Sequence, residues 1–516
     1  MKKYLLMLGL FLCLCVSCKK DKVVVATPEI TKTTFDSTEV GPFFSKYPDF
    51  KSFEEEIKLL YKKHDYHFIW YDYAGRIDFA EVLYNKANQM KNEGVITEIP
   101  YKKQIDVLFS EAQTGKADLN SELLISSLYF YYTKKVYAGV DPEKSKLLGW
   151  YLPREKVSYG NYLDDLIKDP NRIKKNGSEM ISQYYKLKKA LQFYRNIQNN
   201  GGWDSIFLPS KTILKVGDSA TAITQIRKRL VLSGELSNSK MNLFDKDVLE
   251  AINKYQKKHN LQFTNTINAS LVKHLNVSVE ERIKTLIVNM ERCRWIAPEI
   301  AEAKELIAVN IPSYKLQYLR NGKPVLTSNV VVGKTMHQTV IFSGQMSYIV
   351  FSPYWNVPRS IIEKEIKPGI AANKDYLQKH NMEWNNGSIR QKPGNANSLG
   401  LVKFMFPNSN NIYLHDTPAK SLFNKESRAF SHGCVRVEKA RELAIKILEN
   451  DKNWSSEKID AAMQTGKERN YSLKRKIPVY IAYFTAWADE KGDVGFYEDI
   501  YNRDNRLAHL LYNDEK

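Results

Sequence analysis

The sequence predicts a multidomain α+β protein, in which a helical N-terminal scaffold and a small three-helix module precede a β-rich domain bearing a polar insertion. Apolar residues recur at helical spacing from about residue 53 to residue 293, and beyond Pro298 the period switches to two. The length, 516 residues, also exceeds what one hydrophobic core supports and suggests two to four domains.

Taken in order, residues 1–17 read as an export signal. Lys2 and Lys3 precede one apolar stretch, Tyr4 to Val16, too short for a bilayer core that needs roughly twenty residues. It ends Leu14-Cys15-Val16-Ser17-Cys18-Lys19, which resembles a bacterial lipobox, and that resemblance implies lipidation of Cys18 as the first mature residue. Residues 18–41, rich in Thr, Val and Lys, read as the lipidated tether. The expected location is the cell envelope, as a membrane-anchored lipoprotein facing the periplasm. A formal charge of +19 implies an anionic partner. For an exported chain that partner is cell-wall polymer or lipid headgroups, and nucleic acid is not expected.

The helical scaffold is expected over 42–208. Ser52-Phe53-Glu54-Glu55 reads as a capping box, followed by Phe53, Ile57, Leu60 and His64 at helical spacing. The clearest helix carries Met180, Tyr184, Leu187, Leu191 and Tyr194 and stops at Asn199-Asn200-Gly201-Gly202. Residues 212–277 read as the small module, with Ile223, Ile226 and Leu230 on one helix, Val248, Ile252 and Tyr255 on a second, and Leu271 and Leu275 on a third. The stretch from Leu214 to Gln256 resembles the peptidoglycan-binding module attached to many cell-wall enzymes, although a spacer without carbohydrate affinity has the same pattern.

The β-rich domain is expected over 280–490. Ser278-Val279-Glu280-Glu281 is a capping box whose helix buries Ile283, Leu286, Ile287, Met290 and Cys293. Strands follow at Leu306 to Ile311, Tyr314 to Leu319 and Val325 to Val332, the last two joined by the hairpin signal Asn321-Gly322. More are expected at Tyr348 to Phe351, Leu401 to Phe406, Asn411 to His415 and Pro478 to Trp487. The stretch 359–398, rich in Lys and Asn, reads as an insertion over the sheet, and 491–516 as a C-terminal extension.

Chemistry concentrates in Ser431-His432-Gly433-Cys434-Val435-Arg436-Val437. If this segment is extended, His432, Cys434 and Arg436 share one face. The dipole of the following helix, whose buried stripe is Ala440, Leu443, Ala444 and Ile447, would favour thiolate at Cys434. In Asn411-Ile412-Tyr413-Leu414-His415-Asp416, Tyr413 and His415 share a face, and the sixteen positions from His415 to Ser431 suffice for the chain to turn and return. His415 is the candidate base and Cys434 the candidate nucleophile.

His415, fifteen intervening residues, then Ser431-His432-Gly433-Cys434-Val435-Arg436 resembles the signature of the L,D-transpeptidases. The likeness extends through Ile311, Gly333-Lys334, Tyr354-Trp355-Asn356-Val357-Pro358, Gly400-Leu401-Val402-Lys403-Phe404 and Ile412 to Pro418. The long form of that family, with a helical scaffold, a peptidoglycan-binding module and a capped catalytic domain, resembles the whole mature chain. The resemblance implies that Cys434 attacks a stem-peptide carbonyl, displaces the terminal D-alanine and forms a thioacyl enzyme. His415 would activate the thiol and deprotonate the acceptor amine, and the N–H groups of Gly433 and Cys434 would hold the oxyanion. His432 would orient the loop, Tyr413 contact substrate, Arg436 pair with a carboxylate or fix the loop, and Tyr354 and Trp355 line the cleft. The resemblance further implies donor and acceptor stem peptides as partners, glycan as a ligand of the small module, and acylation by carbapenems.

Alternatives are weaker. Cys293 and Cys434 would be the only unmodified thiols, but Cys293 sits on a buried helix face, away from a disulfide partner on a polar strand. His415, His432 and Cys434 lack a fourth zinc ligand nearby, and no metal or cofactor is expected. Val330 to Thr335 lacks the first glycine of a phosphate loop. His64, His67, His259, His274, His337, His380 and His509 share no spacing and carry no chemistry on this reading. Hydrolysis of the same thioacyl intermediate, as a carboxypeptidase or endopeptidase, and a catalytically silent wall-binding lipoprotein remain open.

Overall fold

A computed structural model describes residues 33–110, 117–154, 158–168, 180–237, 241–301 and 303–513. The signal segment, Cys18 and most of the tether lie outside the described residues. Among the described residues no helix is long and apolar enough to cross a membrane.

Where the tether was expected to run free to residue 41, the chain joins the scaffold from Thr33. Phe68 N–H donates to Thr33 O and Phe35 N–H to Tyr66 O, while the Phe35 ring packs edge-on against Tyr61. Ser52 is not the expected helix cap. Pro48–Phe53 is already a 3₁₀ turn running into the helix Glu54–Lys63, and Glu54 pairs with Lys51 and Lys58 instead. The scaffold core is aromatic, and the helix Leu119–Thr133 is buried on nearly all sides within it. Glu122 on that helix accepts from Tyr61 Oη at 2.7 Å and Ile69 N at 2.6 Å. Burial outweighs these donors and pushes its carboxyl up to about 7.

The helix Ser182–Asn199 ends as expected, with Gly201 and Gly202 at positive φ and Gly202 N–H donating to Ile197 O at 2.9 Å. It lies within the stretch read as scaffold, yet its apolar face packs with the helix Val279–Arg294 into the core of the β-rich domain. Ser278 caps the latter helix through the Glu281 N–H, and Cys293 is fully buried there. Arg294 ties the two bodies together, donating to Val136 O and Glu93 O while paired with buried Glu291.

Residues 221–275 form three helices, Thr221–Leu232, Lys246–Lys258 and Ala269–Leu275, around their own small core. The module is docked by His259, whose Nδ1 accepts from Phe496 N–H at 2.9 Å. His259 is thus a satisfied core histidine.

The β-rich domain is one mixed sheet that closes on itself. Its order is Ala429–Ser431, Lys323–Gly333, Val435–Val437, Leu414–His415, Val402–Met405, Phe342–Phe351, Arg469–Ala482, Glu305–Asn310 and Lys315–Arg320, and this last strand pairs again with Lys323–Gly333. The hairpin at Asn321-Gly322 is present, both residues at positive φ and Arg320 paired with Lys323. Two expectations need correction. The strand read over Asn411 to His415 is only Leu414–His415, because Asn408 turns the preceding chain by accepting from Asn410 and Ile412 N–H. Pro478 to Trp487 is not one strand: Arg469–Ala482 stops, and Ala486–Ala488 pairs separately with Val494–Phe496. Val494, Phe496, Tyr501, Leu507 and Ala508, in the stretch read as a C-terminal extension, belong to this same core.

The insertion is less polar than its composition suggests. Strands Met382–Asn385 and Ser388–Gln391 pair with Trp355–Asn356, and Val357, Ile361, Ile362, Ile366, Met382 and Ile389 form a separate core. Asn397 closes its base by donating to Pro353 O and Lys392 O.

Candidate active site

Strand register brings the two candidate segments together. Leu414 pairs with Val435 and His415 with Arg436 in parallel, and Val435 N–H donates to Tyr413 O. Leu414, Val435 and Val437 are buried inward, so the opposite face presents His415 beside Arg436 and, two residues back on each strand, Tyr413 and Cys434. On the other side of His415, the antiparallel strand Val402–Met405 places Lys403 opposite it. Lys403 was not among the expected site residues. The signal was present, since a lysine alternating with buried Val402 and Phe404 must face away from the core, but only the pairing shows that it faces His415.

The Ser431 to Val437 segment is not continuously extended as expected. Ala429–Ser431 pairs with the Val332–Gly333 end of its neighbour, the chain bends over 432–434, and Val435–Val437 resumes beside Val330 and Val331. The bend needs Gly433, whose φ of +114° is open to glycine and strained for other residues. Ser431 Oγ accepts from Gly433 N–H at 3.1 Å and donates to Cys434 O at 2.6 Å. The Gly433 N–H, expected to hold the oxyanion, is thus engaged inside the bend in this structure. Among the described residues the Cys434 N–H has no acceptor. Thr339 holds the bend from behind, donating to Gly433 O at 2.8 Å.

His432 falls on the bend, off the strand face expected for it. Its ring lies 5.1 Å from that of His337, and its Nε2 is 3.4 Å from a carboxylate oxygen of Glu365 in the cap. Neither His337 nor Glu365 has a sequence pattern linking it to the site. Tyr354 and Trp355 make their contacts toward the cap: Arg390 stacks on the Tyr354 ring at 4.0 Å, and Trp355 packs against the cap core.

Cys293 and Cys434 are both free, so the disulfide reading is excluded. No group of three or more His, Cys, Asp or Glu among the described residues is arranged to hold a metal. Burial pushes the Cys434 thiol up, although Tyr413, Lys403 and Arg436 pull the other way. The expected thiolate-favouring field is outweighed, because the helix Ala440–Leu448 begins six residues beyond the thiol and such fields fall off within a turn. Cys434 Sγ donates to Asn411 O at 3.7 Å and contacts Tyr413. His415 is buried, and burial, reinforced by Arg436, pushes it down to about 3. Its Nδ1 sits 2.5 Å from Asp416 O, which accepts, so the neutral ring carries its proton on Nδ1; the Leu399 backbone also acts on the ring as an acceptor. The resting site is a neutral thiol and a neutral imidazole on one face, flanked by Lys403 and Arg436.

The family model of the L,D-transpeptidase catalytic domain matches residues 304–460, and a scaffold-domain model matches residues 55–191. A Haemophilus influenzae protein, named as one of the L,D-transpeptidases on provisional grounds, is 35% identical over 260 residues, covering 46% of this chain and 52% of that one. The chain thus spans about half the length of this curated relative. Solved structures include an L,D-transpeptidase from Mycobacterium smegmatis (11% identity, 35% of this chain and 59% of that one, TM-score 0.21). Another is from Stackebrandtia nassauensis (13% identity, 54% and 97%, TM-score 0.22). The paired strands of His415 and Cys434 lie within the stretch that matches the L,D-transpeptidase catalytic-domain model.

Proposed function

We propose that the chain is a peptidoglycan L,D-transpeptidase that joins stem peptides through a thioacyl intermediate on Cys434. One observation supports this reading: parallel pairing of Leu414–His415 with Val435–Val437 sets a neutral imidazole and a thiol on one face of the sheet. Sγ attacks the carbonyl at the L-centre of the donor stem as its proton passes to His415 Nε2. The S–C bond forms, the C–N bond breaks, and the same proton goes to the departing D-alanine amine. His415 then takes a proton from the acceptor amine as its nitrogen bonds to the acyl carbon; the S–C bond breaks and His415 returns the proton to Sγ, which restores the neutral thiol and imidazole. Such base catalysis is worth ~10² to 10⁴ in rate. The Cys434 N–H is the oxyanion donor, a contribution on the order of 10² to 10³. A neutral resting thiol suits this scheme, because charge then develops only as the carbonyl is attacked.

We further propose that Cys18 is lipidated and holds the chain on a membrane facing the periplasm, a reading supported by the sequence of residues 2–19. The test is intact-protein mass spectrometry of residues 19–516 with tetrapeptide-stem muropeptides, beside Cys434→Ala. A stem adduct on the unmutated protein alone, with dimeric muropeptide in solution, supports the transpeptidase. Adduct with trimmed monomers only makes the protein a hydrolase. No adduct from a folded protein that still pulls down sacculi leaves a wall-binding lipoprotein.

A further inference from the structure

The strand pairings set Lys403, His415 and Arg436 side by side, one residue from each of three adjacent strands, with buried Val350 and Val331 closing the row. In this row a buried neutral imidazole stands between two cations. Lys403 Nζ lies 5.6 Å from the Tyr413 ring, and that ring faces His415 at 5.6 Å between centroids. The carboxylate whose charge acts on Lys403 is Glu468, which is exposed and already accepts from Tyr354 N–H at 2.7 Å. Arg436 has a buried Nε with no hydrogen-bond partner and no carboxylate paired with it among the described residues. Two partly buried cations left without their own carboxylates are costly unless an anion arrives with the substrate.

We propose that Lys403, together with Arg436, is a specificity-determining residue that binds the C-terminal carboxylate of the donor stem. The inference rests on the transpeptidase reading and adds the requirement for a free terminal carboxylate. The chemistry agrees with the position. The departing amine must meet His415 to collect its proton, and in a terminal residue the carboxylate carbon lies only ~2.5 Å from that nitrogen across two bonds. A nitrogen at His415 therefore carries its carboxylate into the gap flanked by Lys403 and Arg436. An internal residue would bring a neutral amide there instead and leave both cations unpaired.

The test measures binding, so it does not depend on turnover. In Cys434→Ser protein, calorimetry compares a tetrapeptide stem ending in free carboxylate with the same peptide ending in amide. The carboxylate form should bind at least tenfold more tightly. Adding Lys403→Met should remove that preference while leaving amide binding unchanged, and Lys403→Arg should restore part of it. Equal affinity for the two peptides overturns the proposal, as does a preference that survives Lys403→Met. Loss of both ligands in Lys403→Met, unrelieved by Arg, also overturns it, because it marks a structural role. If the free acid and amide bind alike while the wild type still forms stem adduct, this proposal fails and the transpeptidase reading stands. If neither peptide binds and no adduct forms, both fail.

Discussion

The hydroxyl of Thr339 donates to the Gly433 carbonyl at 2.8 Å while accepting the Gly333 N–H at 2.9 Å, so one side chain fastens the bend that carries Cys434 to the strand behind it. Tyr501 extends the support: its hydroxyl donates to Gly333 O at 2.5 Å and accepts from Thr339 N–H. The C-terminal stretch thereby buttresses Cys434 from a distance of 67 positions in the chain.

Thr339→Val keeps the shape but leaves the Gly433 carbonyl and Gly333 N–H unpaired in a buried place. It should cost about 2 to 4 kcal/mol in chemical denaturation and slow acylation, since each orphaned group costs about 1–3 kcal/mol. Thr339→Ser, which keeps both bonds, should stay close to wild type. Equal stability of the Val and Ser variants would contradict this account.

Acid stability reports on His415. Its folded value is pushed down to about 3 against about 6.5 when unfolded, so the neutral ring is favoured by the fold. The resulting stability is fully present above pH 6.5 and is lost progressively as pH falls toward 3. At ~1.4 kcal/mol per pH unit the loss approaches about 5 kcal/mol. His415→Gln should flatten this part of the stability curve relative to wild type. The kcat/KM profile should show no acid limb between pH 5 and 7, and a limb there would assign a different titration to the base.

Thiol chemistry should separate the two described cysteines. Iodoacetamide should label Cys434 more slowly at pH 7 than a free cysteine and faster as pH rises above 9, because burial raises its thiol. Tyr413→Phe should slow labelling further, since the hydroxyl stabilises the thiolate. Cys293, fully buried, should label only after unfolding.

The cap should melt separately. Ile389→Ala in the cap core should cost about 2–4 kcal/mol locally. Hydrogen exchange should then quicken over 359–391 while the strands Val402–Met405 and Arg469–Ala482 stay protected. Uniform loss of protection across both would show that cap and sheet fold as one unit.

Much of the site was legible because its information is local. Period-two alternation placed Tyr413 and His415 on one face, and Asn321-Gly322 marked its hairpin, since both depend only on backbone geometry between near neighbours. The continuous strand expected through Ser431 and Cys434 failed for a non-local reason: Thr339 and the Gly333 end of another strand pull the chain into a bend that alternation alone does not encode. The Cys434 thiol is likewise set non-locally: burial by residues distant in sequence raises it against the field expected from the following helix.

By itself the sequence determined the order of helical and β-rich parts, the His415 and Cys434 pair, and the buried place of Cys293, all set by periodicity and residue chemistry. Only the tertiary structure decided that Ser182–Asn199 and the C-terminal residues join the catalytic core, that the Gly433 N–H is spent within its own bend, and that Lys403 stands beside His415. Those facts depend on which strands pair and in what register, and register is fixed by the packing of the whole sheet.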